Sequence, residues 1–198
     1  MAMLEAAITA ADKPLSLDQL QRLFTDDSDR PAKPDIVAAL NAIAAACQDS
    51  SRGVELRQVA SGWRFQVKAS VAPAIAGLWE EKPQKYSRAL LETLALIAYR
   101  QPITRGDIEQ VRGVAVSSNI IKTLQERDWI QVVGHREVPG RPALYATTKT
   151  FLDYFNLRSL DELPSLKELA DLDAVNMDLL VTSGQEEKPA DPPAAAPE

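Results

Sequence analysis

The sequence predicts an α+β fold, mainly α-helical with short β-hairpins, in which one small domain occurs twice. The pattern Pro14-Leu15-Ser16 returns 88 residues later as Pro102-Ile103-Thr104. Each copy lies between two apolar helical segments and is followed by a third helix and two runs with alternating polarity. A repeat of this length is too long for a solenoid unit and suits a small domain. Because helix, helix, helix, hairpin is the order of a winged helix, we expect two winged-helix domains in tandem.

The first domain is predicted to span residues 1–82. Ser16 and Gln19 have the spacing of a capping box, which starts the second helix. Gly62 lies in the turn of a hairpin whose second strand turns Trp63, Phe65 and Val67 inward and Arg64, Gln66 and Lys68 toward water. The predicted elements are helices over 3–11, 17–24, 35–48 and, interrupted by Pro73, 70–81, with strands over 54–57 and 63–67.

The second domain is predicted to span residues 86–164, after a linker at 83–85. Thr104 and Asp107 repeat the N-cap pattern, and Gly113 suits a helix C-terminus. The predicted elements are helices over 87–100, 105–112 and 118–127, strands over 129–133 and 143–147, and a helical turn over 151–155.

The acidity of the chain belongs to its C-terminal end. Of the net charge of −6, residues 161–198 contribute −8, from 2 basic and 10 acidic side chains. Leucines at every third position from Leu163 to Leu172 allow one amphipathic helix, and residues 183–198 contain no aromatic side chain. Such a composition buries too little apolar surface to offset the entropy of ordering, so residues 165–198 are predicted to be a largely disordered acidic tail.

Composition argues against an enzyme. His135 is the only histidine and Cys47 the only cysteine, so no Cys/His metal site or disulfide framework can be assembled. Glycine-rich phosphate-binding patterns are absent from the sequence. We therefore expect no catalytic residues, no cofactor and no metal. Residues 1–12 do not resemble a signal peptide, and no apolar run is long enough to span a membrane, so we expect a cytoplasmic protein without membrane contact.

The third helix of the first domain is apolar on nearly all sides. Residues 35–47 contain no basic side chain, which is unsuited to reading DNA. An apolar helix must be covered, either by a partner or by the rest of its own chain. We expect a homodimer interface that includes Ile36, Ala39, Leu40 and Ile43, with full burial inside the chain as the alternative.

The third helix of the second domain has a mixed polar face. Its outward residues include Lys122 and Glu126, whose charges cancel, and the hairpin loop adds Arg136 and Arg141 against Glu137. Phosphate-driven affinity needs concentrated positive charge, so at most weak, nonspecific DNA contact is expected. A winged-helix DNA-binding transcriptional regulator is the alternative function.

Several runs of the second domain resemble the segregation and condensation protein B family. The similar runs are Tyr86 to Arg105, Ile108-Glu109, Val111 to Val114, Pro139-Gly140-Arg141-Pro142, Leu144-Tyr145, Thr147-Thr148, Phe151-Leu152 and Leu157 to Pro164. The first domain matches more loosely, so the resemblance covers roughly residues 3–166.

The resemblance implies a bacterial, non-catalytic protein that dimerises through its first domain. The dimer would hold the kleisin ScpA and thereby act on the SMC ATPase that condenses and segregates the chromosome, in the cytoplasm at the nucleoid. The kleisin would bind the second domain around Ile97 to Val116 and the hairpin. The candidate contact residues are Tyr99, Arg105, Arg112, Val114, Arg136 and Arg141.

Overall fold

Runs of helices are followed by short antiparallel hairpins along the chain, which is an α+β arrangement. The computed structural model describes residues 1–25, 30–78 and 86–165. Residues 1–162 form one unit and residues 163–198 a second. Within the first unit, residues 1–78 are called the N-terminal lobe and residues 86–162 the C-terminal lobe. The predicted linker, and the predicted tail beyond residue 165 with most of its leucine repeat, lie outside the described residues.

The N-terminal lobe forms its core from three of its helices and one hairpin. Its elements are α1 (Ala2–Ala10), α2 (Leu17–Gln21), α3 (Lys33–Ala46), β1 (Val54–Val59), β2 (Gly62–Val67) and α4 (Ala72–Ile75), followed by a 3-10 turn at Ala76–Leu78. Apolar residues at helical spacing on α1 and α3 face the hairpin. Together they form a core of Leu4, Ile8, Leu20, Ile36, Leu40, Ile43, Cys47, Leu56 and Trp63.

The C-terminal lobe repeats this order with a three-stranded sheet. Its elements are α5 (Arg88–Arg100), β3 (Ile103–Thr104), α6 (Arg105–Arg112), α7 (Ser118–Glu126), β4 (Ile130–His135), β5 (Ala143–Thr147), α8 (Lys149–Tyr154) and a 3-10 turn at Leu160–Glu162. The antiparallel strand order is β3-β5-β4, and the register shifts between Val132 and Gly134. Gly113 ends α6 with φ 70°, a left-handed conformation that glycine adopts without strain.

The repeated Pro-apolar-hydroxyl pattern makes the same structure in both lobes. Leu15 pairs with Trp63 through two backbone hydrogen bonds of 2.9 Å, and Ile103 pairs with Tyr145 on β5. The next residue, Ser16 or Thr104, caps the following helix in a capping box, so both predicted N-caps are confirmed. The pattern therefore joins the second helix of each lobe to the second strand of its hairpin.

Glycine is required at position 62, where the Leu15 segment comes closest to the hairpin. Gly62 has φ 146°, and a Cβ built there would lie 2.2 Å from the Leu15 carbonyl oxygen. Backbone atoms cannot yield as a flexible side chain can, so any larger residue at position 62 must displace the Leu15 segment.

Several details differ from the sequence predictions, and three of them concern α2 and the first hairpin. Helix α2 ends at Gln21 rather than residue 24, because Leu23 and Phe24 donate to carbonyls three residues back and tighten the chain into turns. Val67 is 38% exposed at the open end of the hairpin, not inward. Arg64 does not face water, since its guanidinium bonds to the C-terminal lobe.

The described segments contain no helix with the length and apolar character needed to cross a bilayer.

Candidate partner-binding surface

A cleft of about 500 Å³ opens on the C-terminal lobe beside α6. The end of α5, the short strand β3, one face of α6 and the start of the hairpin loop form its walls. Its lining residues are Arg100, Pro102, Ile103, Asp107, Gln110, Val111 and Arg136. The cleft therefore lies in the region where the sequence predicts a partner.

An ion pair joins α6 to the hairpin loop across one side of the cleft. Arg136 donates to both carboxylate oxygens of Asp107, at 2.9 and 2.7 Å, and Asp107 also accepts from the backbone and hydroxyl of Thr104. The Arg136 guanidinium, followed by the Thr104 donors, holds the pKa of the Asp107 carboxyl well below its usual range. The two-bond geometry fixes the loop relative to the helix.

Other lining residues remain available to a ligand. The exposed side chain of Arg100 makes no hydrogen bond or ion pair with any described residue, and Val111 is 45% exposed. Pro102 and Gln110 are also exposed. One cation beside an apolar rim suits a peptide that carries an acidic and an aliphatic side chain.

Of the six predicted partner residues, Arg136 alone lines this cleft. Arg105, at the start of α6, donates to Glu109 at 3.0 Å and to the Ser118 hydroxyl at 3.1 Å. Glu109 in turn accepts a hydrogen bond from the Val116 backbone N–H at 2.9 Å. This N–H is the larger cause of the lowered pKa of Glu109, and Arg105 is the second. Arg105 therefore supports the turn between α6 and α7, although its side chain is 44% exposed.

Arg112, also a predicted partner residue, is largely buried and bonds to neighbours within its own lobe. It is 10% exposed and donates to Glu92 at 3.0 Å and to the Thr93 hydroxyl at 3.4 Å. Its Nε is buried and has no hydrogen-bond partner in the described part of the chain. Arg112 thus links α6 to α5 inside the lobe through its two terminal nitrogens.

The last three predicted residues are spread over the lobe. Val114 is 56% exposed in the loop after α6, and Tyr99 is half-buried on α5. Arg141 has φ 37° in the hairpin loop and pairs with Glu137 at 3.1 Å, both side chains being well exposed. Sequence reasoning missed Arg100, Gln110 and Val111. The helical period of α6, which buries Ile108, could have placed Gln110 on the opposite face. Val111 lies only three residues after Ile108, so its exposure is seen only in the structure.

The basic residues considered for DNA contact have acidic partners. Lys122 lies 3.5 Å from Glu126, and Arg136 and Arg141 pair with Asp107 and Glu137. Such pairing reduces the net positive charge offered to phosphates.

The predicted dimer residues require a correction. Ile36, Leu40 and Ile43 are 1%, 0% and 4% exposed, because they face α1, α2 and the hairpin in the core of their own lobe. Ala39 is half-buried and lines a smaller cleft of about 240 Å³ with Met1, Leu4, Phe24, Pro31, Asp35 and Ile36. The exposed face of α3 consists instead of Ala38, Asn41, Ala42 and Ala45.

No group of three or more His, Cys, Asp or Glu side chains that could hold a metal ion occurs in the part of the chain that the structure describes. Cys47 is 1% exposed and belongs to the N-terminal core.

A family profile and a similar protein both point to the same family. The profile of the family described as "Segregation and condensation complex subunit ScpB" matches residues 2–166. A "Segregation and condensation protein B homolog" from Coxiella burnetii is 55% identical over 173 residues, covering 87% of this chain and 81% of that protein.

Two solved structures are also similar. The crystal structure of ScpB from Mycobacterium tuberculosis is 34% identical, with a TM-score of 0.36, and covers 79% of this chain and 94% of that one. A dimer of an ScpB N-terminal domain complexed with an ScpA peptide is 22% identical, with a TM-score of 0.36, and covers 41% of this chain and 93% of that one.

Proposed function

Because this chain belongs to the segregation and condensation protein B family, we propose that it is a non-catalytic subunit of a bacterial SMC–kleisin complex. As a homodimer it binds the kleisin ScpA and, through ScpA, acts on the SMC ATPase during chromosome condensation and segregation. Its place of action is the cytoplasm, at the nucleoid. The observation that carries the proposal is the family match over residues 2–166, with 55% identity to a named member.

The two lobes are proposed to be winged-helix domains. Each has three helices followed by a hairpin, and in each a residue before the second helix pairs with the second hairpin strand. The pairing of Leu15 with Trp63 and of Ile103 with Tyr145 supports a common origin for the two lobes.

The cleft on the C-terminal lobe is the proposed contact for ScpA. Arg100 supplies a cation that is not paired with any described residue, and Val111 and Pro102 supply apolar surface next to it. The Asp107–Arg136 pair keeps the facing wall in place. An extended or helical kleisin segment with an acidic side chain near an aliphatic one would match these groups.

Binding of purified ScpA from the same organism to the full chain, measured by titration calorimetry, tests this proposal. Val111→Glu is expected to weaken binding at least about tenfold, since a charge would be buried against the apolar part of the ligand. Val132→Glu is the matched control, because Val132 is 43% exposed on β4 and does not line the cleft. Absence of ScpA binding by the unsubstituted chain refutes the function. Equal binding by the two variants refutes only the cleft.

The exposed small side chains of α3 are the proposed dimer surface. Ala38, Ala42 and Ala45 allow another backbone to approach closely, and the neighbouring cleft at Ala39 adds apolar area. Light scattering at tens of micromolar is expected to give a dimer, and Ala42→Glu a folded monomer. Ala95→Glu, on the exposed side of α5, should leave the dimer intact. A monomeric unsubstituted chain would exclude the dimer.

A further inference from the structure

The turn of the first hairpin touches the end of the C-terminal lobe, far along the sequence. We propose that this contact is a latch that holds the two lobes in one fixed orientation. Its parts are the turn residues Ala60 and Ser61, the side chain of Arg64 on β2, and the segment from Asp153 to Leu157 at the end of α8. The latch is independent of the proposed binding of ScpA.

Two backbone N–H groups of the turn donate across the junction. Ala60 N donates to the Leu157 carbonyl oxygen at 2.9 Å, and Ser61 N donates to Asp153 Oδ1 at 2.9 Å. Both donors belong to the tight turn between β1 and β2, which the hairpin register holds in place through the pair Val59 and Gly62. A turn fixed in this way presents its N–H groups in defined directions.

Arg64 adds a charged contact next to the turn. Its Nη2 donates to the Asp153 carbonyl oxygen at 2.8 Å and to Asn156 Oδ1 at 2.7 Å. Asp153 lies in the last turn of α8, where the helix dipole favours a cation. The Nε of Arg64 is buried and has no hydrogen-bond partner among the described residues, so the junction is closed enough to exclude water from part of the guanidinium.

The backbone conformation of Asn156 suits it to accept the hydrogen bond from Arg64. Its φ is 60°, a left-handed conformation that asparagine, aspartate and glycine adopt more readily than other residues. The residue therefore turns the chain after α8 and places its amide oxygen toward Arg64. Glycine at this position would keep the turn and remove only the acceptor, and aspartate would keep an oxygen and add a negative charge.

Four hydrogen bonds with different directions constrain rotation as well as separation. Two come from the hairpin backbone and two from one guanidinium, and all four end on residues 153–157. A connecting segment alone leaves the relative orientation of two domains variable. The latch therefore sets the angle at which the α3 surface and the α6 cleft are presented to partners.

Pulsed electron paramagnetic resonance on the full chain tests the latch. Nitroxide labels are attached to cysteines placed at Gln48 and Gln125, which are exposed on opposite lobes, and labelled chain is diluted with unlabelled chain to suppress distances between copies. The chain with native Cys47 alone, 1% exposed, is the labelling blank. A single narrow distance distribution is expected for the latched protein.

Four substitutions in the doubly labelled chain complete the test. Arg64→Ala and Asn156→Gly are expected to broaden the distribution at least about twofold in width, and Asn156→Asp is expected to keep it narrow. Arg22→Ala is the control, because Arg22 is exposed at the end of α2 and its side chain makes no hydrogen bond or ion pair with any described residue of the C-terminal lobe. A broad distribution in the unsubstituted chain overturns the proposal. The proposal is also overturned if Arg64→Ala and Asn156→Gly both keep a narrow distance distribution while circular dichroism shows that they are folded. If one of these two variants fails to fold, the width of the distance distribution in the other variant decides whether the proposal stands.

Discussion

Gly62→Ala should destabilise the chain far more than an ordinary glycine substitution. The added Cβ would lie 2.2 Å from the Leu15 carbonyl oxygen, 2.3 Å from its carbon and 2.7 Å from the Ser16 nitrogen. These are backbone atoms, so the Leu15 segment must move away from β2. The substitution therefore affects the repeated motif of the N-terminal lobe at its closest contact.

The expected cost follows from three contributions. A non-glycine residue at φ 146° costs about 1–3 kcal/mol. Loss of the two 2.9 Å hydrogen bonds between Leu15 and Trp63 costs about 0.5–1.5 kcal/mol each. The free energy of unfolding should therefore fall by about 2–6 kcal/mol, a large part of the roughly 5–15 kcal/mol that stabilises a typical domain.

Urea unfolding followed by circular dichroism measures this change. Gly53→Ala is the matched control, because a Cβ at Gly53 meets no atom within 4 Å. Its unfolding free energy should change by less than about 1 kcal/mol. If Gly62→Ala and Gly53→Ala unfold at the same urea concentration, the close approach of Leu15 does not constrain the fold and the reasoning is refuted.

Three further changes test other parts of the structure. Because the pKa of Asp107 is lowered in the folded chain, its pair with Arg136 stabilises the fold above the ordinary pKa of 3.8, and this stabilisation is lost as the pH falls below that value. Asp107→Asn should remove this contribution, so the melting temperature should drop less between neutral pH and pH 2 than it does in the unsubstituted chain. Leu20→Ala should cost about 2–5 kcal/mol in urea unfolding, because Leu20 is 0% exposed, whereas Leu23→Ala at 37% exposure should cost less than about 1 kcal/mol. Ser16→Ala should cost about 1 kcal/mol through loss of the N-cap, and Ser16→Thr should restore most of it; equal stability of the two would contradict the cap.

Local signals in the sequence predicted the elements well. The capping boxes at Ser16 and Thr104, the helix stop at Gly113 and the hairpin turn before Gly62 are formed as expected. Each depends on residues within about four positions of one another, so the sequence contains all the information needed. The length of α2 was overestimated, because apolar residues at helical spacing also occur in the turns after Gln21.

The candidate sites were predicted less well. Ile36, Leu40 and Ile43 were assigned to an interface, although the lobe uses them for its own core. Arg112 is predicted to contact a partner, although Glu92 and Thr93 from another helix already accept hydrogen bonds from it. In both cases the sequence shows the type of residue, but it does not show which side of the helix the residue faces.

Sequence alone determined the order of helices and strands, the repeated motif and the family. The tertiary structure decided which face of α3 is exposed, which arginines are already paired, and that Arg64 joins the two lobes. The physical reason is the range of the forces involved. Caps and turns are set by neighbours along the chain, whereas burial and ion pairing depend on residues as far apart as Arg64 and Asn156, which only folding brings to 2.7 Å.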